Sequence, residues 1–170
     1  MLVLAAGCRA SPPPLADGTA LPPVEGPYPS FATCTPASAE AQNVVGKPDG
    51  KTVDMAGCST LQVSFTSGTI VPALDAPDLA IHTTRADGIT RIEASSDGSA
   101  WTIAGFVGDS YPDVPPKCRA EAAGGQLRVF FDRCNYLTDV AFIRLQRELS
   151  SKGGLVIDAI EALSFKPHAK

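Results

Sequence analysis

The stretch Arg91–Gly105, RIEASSDGSAWTIAG, decides how the rest of the chain is read. A β-prone run ends in Ser96-Asp97-Gly98, and a second β-prone run follows. Asp-Gly between two such runs is a strong hairpin signal, because the tight turn needs a positive φ that glycine adopts freely. The single tryptophan, Trp101, falls at the start of the return strand. There a large ring is expected to pack against one end of a β core.

Outward from this hairpin the same alternation recurs. In TLQVSFT, Leu61, Val63 and Phe65 share one face, with Gln62 and Ser64 opposite. DLAIHTT offers Leu79 and Ile81, and GQLRVFFDR offers Leu127, Val129 and Phe131 against Arg128 and Asp132. DVAFIRLQRE and GLVIDAIEALSF complete the set. TDVAFIRLQRELSSK also fits a helix, but its Ile, Val and Phe content and its flanks favour a strand. Period-two runs separated by Gly, Pro and Asp predict an all-β sandwich.

Composition agrees. Gly and Pro number 15 each in 170 residues, which disfavours a helical bundle. Apolar residues make up 44%, enough for a packed core. The formal net charge is −4 and no basic stripe occurs, which argues against nucleic acid as a partner.

The first eight residues read MLVLAAGC, and Leu4-Ala5-Ala6-Gly7-Cys8 resembles a bacterial lipobox, in which the cysteine takes the lipid. Only seven residues precede Cys8 and none is basic, so a start upstream of Met1, or a truncated signal, is expected. No other segment is long and apolar enough to span a bilayer. Residues 9–33 hold seven of the 15 prolines and read as a tether. Four cysteines remain after Cys8: Cys34, Cys58, Cys118 and Cys134. An even number in an exported chain suggests two disulfides. Three pairings are open, and proximity in sequence favours Cys34–Cys58 with Cys118–Cys134. With no Cys-x-x-Cys and two histidines, a zinc site is not expected. The organisation expected is a signal remnant and lipobox at 1–8, the tether at 9–33, a sandwich domain at 34–166 and a tail at 167–170.

IEASSDGSAWTIAG also resembles the Ser-x-Asp-Gly-x-x-Trp hairpin of discoidin-like, galactose-binding-like domains, the coagulation factor 5/8 C-type superfamily. AQNVVGKPDGKTVDM, TLQVSFTSGTIV, DAPDLAIHTT, VAFIRLQ and GLVIDAIEAL are similar to further segments of that family, in the family's order. The match departs at Ala76 and His82, where the family often has Gly and an acid. The resemblance covers about residues 34–165. It implies an eight-stranded jelly-roll β-sandwich with both domain ends close together, and a binding module rather than an enzyme.

The resemblance also implies a structural Ca²⁺ where the first loop meets the last strand. Its carboxylates would be Asp49 and Glu161, with carbonyls near Asn43 and Lys51, and with Asp158, Asp75 and Asp78 ranked behind. Ca²⁺ takes six to eight oxygens, which loops supply. Pro48-Asp49-Gly50 also makes a turn unaided, and Glu161 also suits an ion pair with Lys51 or Arg144. The ligand surface is expected on loops at one end, residues 66–78 and 106–125. The second holds Asp109, Tyr111, Asp113, Lys117 and Arg119. An aromatic face beside acids suits a sugar. The functional expectation is a non-catalytic, lipid-anchored binding module of the bacterial cell envelope, periplasmic or surface-facing, for carbohydrate or another surface component. The rival is an assembly partner in an envelope protein complex. A hydrolase would have to use His82, since His168 lies in the tail and no Gly-x-Ser-x-Gly or His-Glu-x-x-His occurs.

Overall fold

The hairpin forms where the sequence puts it. In the computed structural model, which describes residues 26–108, 115–135, 137–148 and 153–169, strand β6 (Thr90–Ser95) turns through Asp97 and Gly98 into β7 (Thr102–Val107). Gly98 takes φ +77°. Asp97 Oδ1 accepts the backbone N–H groups of Ser99 and Ala100, at 2.8 and 3.1 Å, and so closes the turn.

Twelve strands are described. The others are β1 (Phe31–Thr35), β2 (Val53–Asp54), β3 (Thr60–Ser64), β4 (Gly68–Ile70), β5 (Leu79–Ala86), β8 (Glu121–Ala123), β9 (Gln126–Val129), β10 (Phe142–Arg147), β11 (Leu155–Ala162) and β12 (Phe165–Pro167). All the strand pairings are antiparallel. One five-stranded sheet runs β1-β3-β10-β6-β7, a second runs β2-β11-β5-β9-β8, and β12-β4 is a small third. Two short 3₁₀ helices, Ala39–Val44 and Pro116–Cys118, lie outside the sheets. The segment that also fitted a helix is strand β10, as its β-branched and aromatic content favoured.

The two large sheets face each other through one core. Leu61, Val63, Ile92, Ala94, Ile143 and Leu145 come from the first, and Leu79, Ile81, Leu127, Val129, Ile157 and Ile160 from the second. Gly105 stands opposite Ile92 in this core, where a Cβ would come within 3.0 Å of a Val129 methyl. A larger residue there would push the sheets apart.

The sandwich includes residues before 34. Ser30 N–H donates to Ser64 O at 2.8 Å and Ala162 N–H to Pro27 O at 2.7 Å, so residues 26–33 belong to the sandwich rather than to the tether. Pro27 and Pro29 are tolerated because an edge segment needs few donors. The tail also joins the domain. Pro167 pairs with Gly68, and His168 N–H donates to Ser67 O at 3.0 Å. Ser67 Oγ reaches Gly26 O at 3.3 Å, so both domain ends meet at Ser67.

Candidate functional site

The outer face of the first sheet carries a connected set of interacting side chains. The pairing register aligns Thr33, Gln62, Arg144, Glu93 and Ile103 in one row across β1, β3, β10, β6 and β7. The next row toward the hairpin end aligns Phe31, Ser64, Phe142 and Ser95. Residues two apart on a strand share a face, so both rows point away from the core. Phe31, Phe142 and Trp101 are partly exposed.

Glu93 anchors the face. Its side chain is only 9% exposed, and Arg144 Nε donates to its Oε2 at 2.6 Å. Arg91 Nε stands 3.2 Å from Oε1 but out of line for a hydrogen bond, and Arg91 Nη2 bonds to Gln146 Oε1. A carboxylate this buried is tolerable only because two guanidinium groups flank it. The Arg144 guanidinium lies against the Trp101 ring, with Cζ 4.2 Å from the ring centroid. Trp101 therefore does not pack into the core as its sequence position led us to expect. The bulge between Ile92 and Glu93, which sets Gly105 opposite Ile92 but Ile103 opposite Glu93, shifts the return strand there. The ring stacks on Arg144. Gly98 packs against the Phe142 ring, where its Cβ would stand 3.5 Å away.

The described residues include some of the expected site residues and not others. Cys8, Asp109, Tyr111 and Asp113 lie outside the described residues. Arg119 forms a bridge with Phe106, and its Nη1 donates to Gly108 O at 3.3 Å, back toward the end of β7. The cysteines form the two pairs that proximity favoured, Cys34–Cys58 and Cys118–Cys134. The first sits in the main core, and the second packs with Phe106 and Ile103 at the β7 edge.

Asp49 accepts the Lys51 N–H at 2.9 Å, and its other oxygen meets Lys51 Nζ at 3.2 Å. The backbone N–H of Lys51, first, and then its side chain hold the Asp49 carboxyl below its ordinary range. Asp158 Oδ1 accepts from Asp49 N and Gly50 N, at 3.1 and 3.0 Å, and ties this turn to β11. Asp75 has φ 56° and donates its N–H to Asp132 Oδ2.

Glu161 lies on the outer face of the second sheet, 3.0 Å from His82 Nε2. Gln126 Nε2 is 3.4 Å from His82 Nδ1. Tyr28 completes the row. Burial, then the negative charge of Glu161 and the hydrogen bond to it, raise the Tyr28 phenol above its ordinary range. Neither Tyr28 nor this row was legible beforehand, because Tyr28 lies in a Pro-rich stretch. Among the described residues no three of His, Cys, Asp and Glu stand together as metal ligands, so Asp49 does not join the His82–Glu161 pair. A Ca²⁺ ion at Asp49 would have to displace the Lys51 ammonium and draw on loop carbonyls.

Asp78, ranked behind for Ca²⁺, is fully buried. It accepts from Ala73 N at 2.8 Å, Ser164 Oγ at 2.9 Å and Phe131 N at 2.8 Å, and so ties three loops into one end of the sandwich. The large apolar side chains most exposed among the described residues, Val71, Leu74 and Leu163, lie on the loops that it holds. No described helix is long and apolar enough to cross a membrane. Comparison with family models, with curated proteins and with solved structures found no match to this chain.

Proposed function

We propose that the chain is a lipid-anchored, non-catalytic binding module of the bacterial cell envelope that recognises carbohydrate. The observation that carries this reading is the outer face of the first sheet. Partly exposed Phe31, Phe142 and Trp101 stand beside Gln62, Arg144 and Glu93. Sugars offer C–H faces that stack on aromatic rings, and hydroxyls that need fixed donors and acceptors.

The finer fold reading is a galactose-binding-like, eight-stranded jelly roll. Eight of the twelve strands have four or more residues. Counting only these in chain order, the sheets run one-two-seven-four-five and eight-three-six. Successive strands thus swap sheets repeatedly, as a jelly roll requires. The meeting of both domain ends at Ser67 supports the same reading. A structural Ca²⁺ at Asp49, with Glu161, belongs to it too, and its mark is a melting shift with Ca²⁺ that chelator reverses.

Glycan-array binding by the full-length chain tests the function. Trp101→Ala should abolish the signal while leaving the melting temperature nearly unchanged, because the ring is outside the core. Loss on Tyr111→Ala instead would move the site to the loop at 106–125. A second reading, an assembly partner in an envelope complex, rests on Val71, Leu74 and Leu163. Apolar residues displayed together on pinned loops suit a protein interface. A clean array, with a partner whose copurification is lost on Leu74→Asp, favours that reading.

A further inference from the structure

We propose that the outer face of the first sheet takes an acidic glycan, with the ligand's carboxylate seated on Arg144. This deepens the carbohydrate reading and rests on it.

The argument starts from how Arg144 is held. Its Nε donates to Glu93 at 2.6 Å, and its Cζ lies over the Trp101 ring, 4.2 Å from the centroid. Among the described residues, its two Nη groups have no hydrogen-bond partner. A surface arginine ordinarily loses much rotamer freedom when it binds an anion. Here Glu93 and Trp101 have already fixed the group, so little freedom is left to lose. The open edge is a planar pair of N–H donors, the shape that matches a carboxylate in two parallel hydrogen bonds.

Charge points the same way. Within the two outward rows and the adjoining row through Gln146 and Arg91, the charged residues are Arg91, Arg144 and Glu93. Two cations against one anion leave one positive charge, on a chain whose net charge is −4. Asp97, in the turn before Trp101, spends its carboxylate on the N–H groups of Ser99 and Ala100. The geometry also suits a sugar acid. Phe142 and Arg144 are two residues apart on β10, so their side chains emerge roughly 7 Å apart on one face. A pyranose ring lying on Phe142 therefore places a ring carboxylate at Arg144.

The test compares a galacturonic-acid tetramer, the matching neutral galactose tetramer and a sulfated galactose tetramer, by calorimetry with the full-length chain. The acidic tetramer should bind about tenfold or more tighter than the neutral one, as a charge-assisted bidentate contact implies. Arg144→Lys keeps a cation beside Glu93, and with it the fold, but loses the planar fork. It should abolish most of that advantage, so that the acidic and neutral tetramers bind the variant about equally. Arg91→Lys should keep the advantage. The proposal is overturned if the acidic and neutral tetramers bind alike, or if Arg144→Lys preserves the ratio. Tighter binding of the sulfated tetramer than of the galacturonate also overturns it, since that would mark a point-charge site. If the neutral tetramer binds and the acid gains nothing, the carbohydrate reading stands alone. If none binds, both fall.

Discussion

At the scale of single residues, Asp97 shows how one side chain can specify a turn. Its carboxylate accepts the N–H groups of Ser99 and Ala100, and the Ser95 hydroxyl lies within 3.1 Å. The Ser99 N–H, then that of Ala100, then the Ser99 and Ser95 side chains hold its ionisation well below the ordinary carboxylate range. The folded state thus prefers the ionised form more than the unfolded chain does. That contribution is complete above the unfolded value of about 3.9 and is lost as pH falls through the lower folded value. Asp97→Asn should therefore lower the melting temperature at pH 7. The gap between variant and wild type should then narrow steadily from pH 5 to pH 2.5. A gap that is constant with pH would show that the carboxylate's charge does not matter. Asp49 and Asp87 are lowered as well, so the wild type alone is not diagnostic and the difference must be read. The turn was legible in the sequence because Asp-Gly states its own geometry. The fate of Trp101 was not, because stacking on Arg144 depends on a register between β6, β7 and β10 that no local pattern encodes.

At the scale of elements, alternation identified the strands well. Leu61, Val63, Leu127 and Val129 point inward as their spacing predicts. The short strands β2, β4, β8 and β12 were not foreseen, since two or three residues carry no period. Asp78, which the resemblance ranked behind Asp49 and Glu161 for Ca²⁺, has one hydroxyl and two N–H groups as its described side-chain partners. The disulfides were legible because proximity left one economical pairing. They also differ in what they hold. Cys34–Cys58, 24 residues apart, joins β1 to the segment before β3 inside the main core. Cys118–Cys134, 16 residues apart, secures a satellite cluster at the β7 edge. Chain entropy assigns each about 3 kcal/mol. Replacing Cys34 and Cys58 by Ala should cost more than replacing Cys118 and Cys134, because the first pair also vacates core volume. Urea midpoints of the two double variants measure the order, and a reversed order would mean that the edge cluster carries more stability than its size suggests.

At the scale of the whole molecule, the anchor proposed at Cys8 raises the question of where the domain would sit relative to it. The described part begins at Gly26, which Ser67 holds at the end where Ala162 meets Pro27. Eighteen positions separate Gly26 from Cys8 (26 − 8 = 18). At about 3.1 Å per residue, a Pro-rich segment of that length reaches at most roughly 55 Å. The hairpin end, with Phe31, Phe142 and Trp101, lies beside this entry point, because Phe31 follows it by five residues and pairs with Ser64. An anchored domain would then present its proposed sugar face close to the membrane, within reach of glycans attached there. Stable anchoring needs more than one acyl chain, which a bacterial lipoprotein cysteine supplies. Cys8→Ala should shift the full-length chain from the detergent phase to the aqueous phase. It should leave the melting temperature and the glycan affinity measured in solution unchanged, because the contacts described for the sandwich come from residues 26–169. Equal aqueous partitioning of both proteins would refute the anchor. A fall in melting temperature with Cys8→Ala would refute the separation of anchor and domain, and would mean that the N-terminal segment contributes to the fold as well as to attachment.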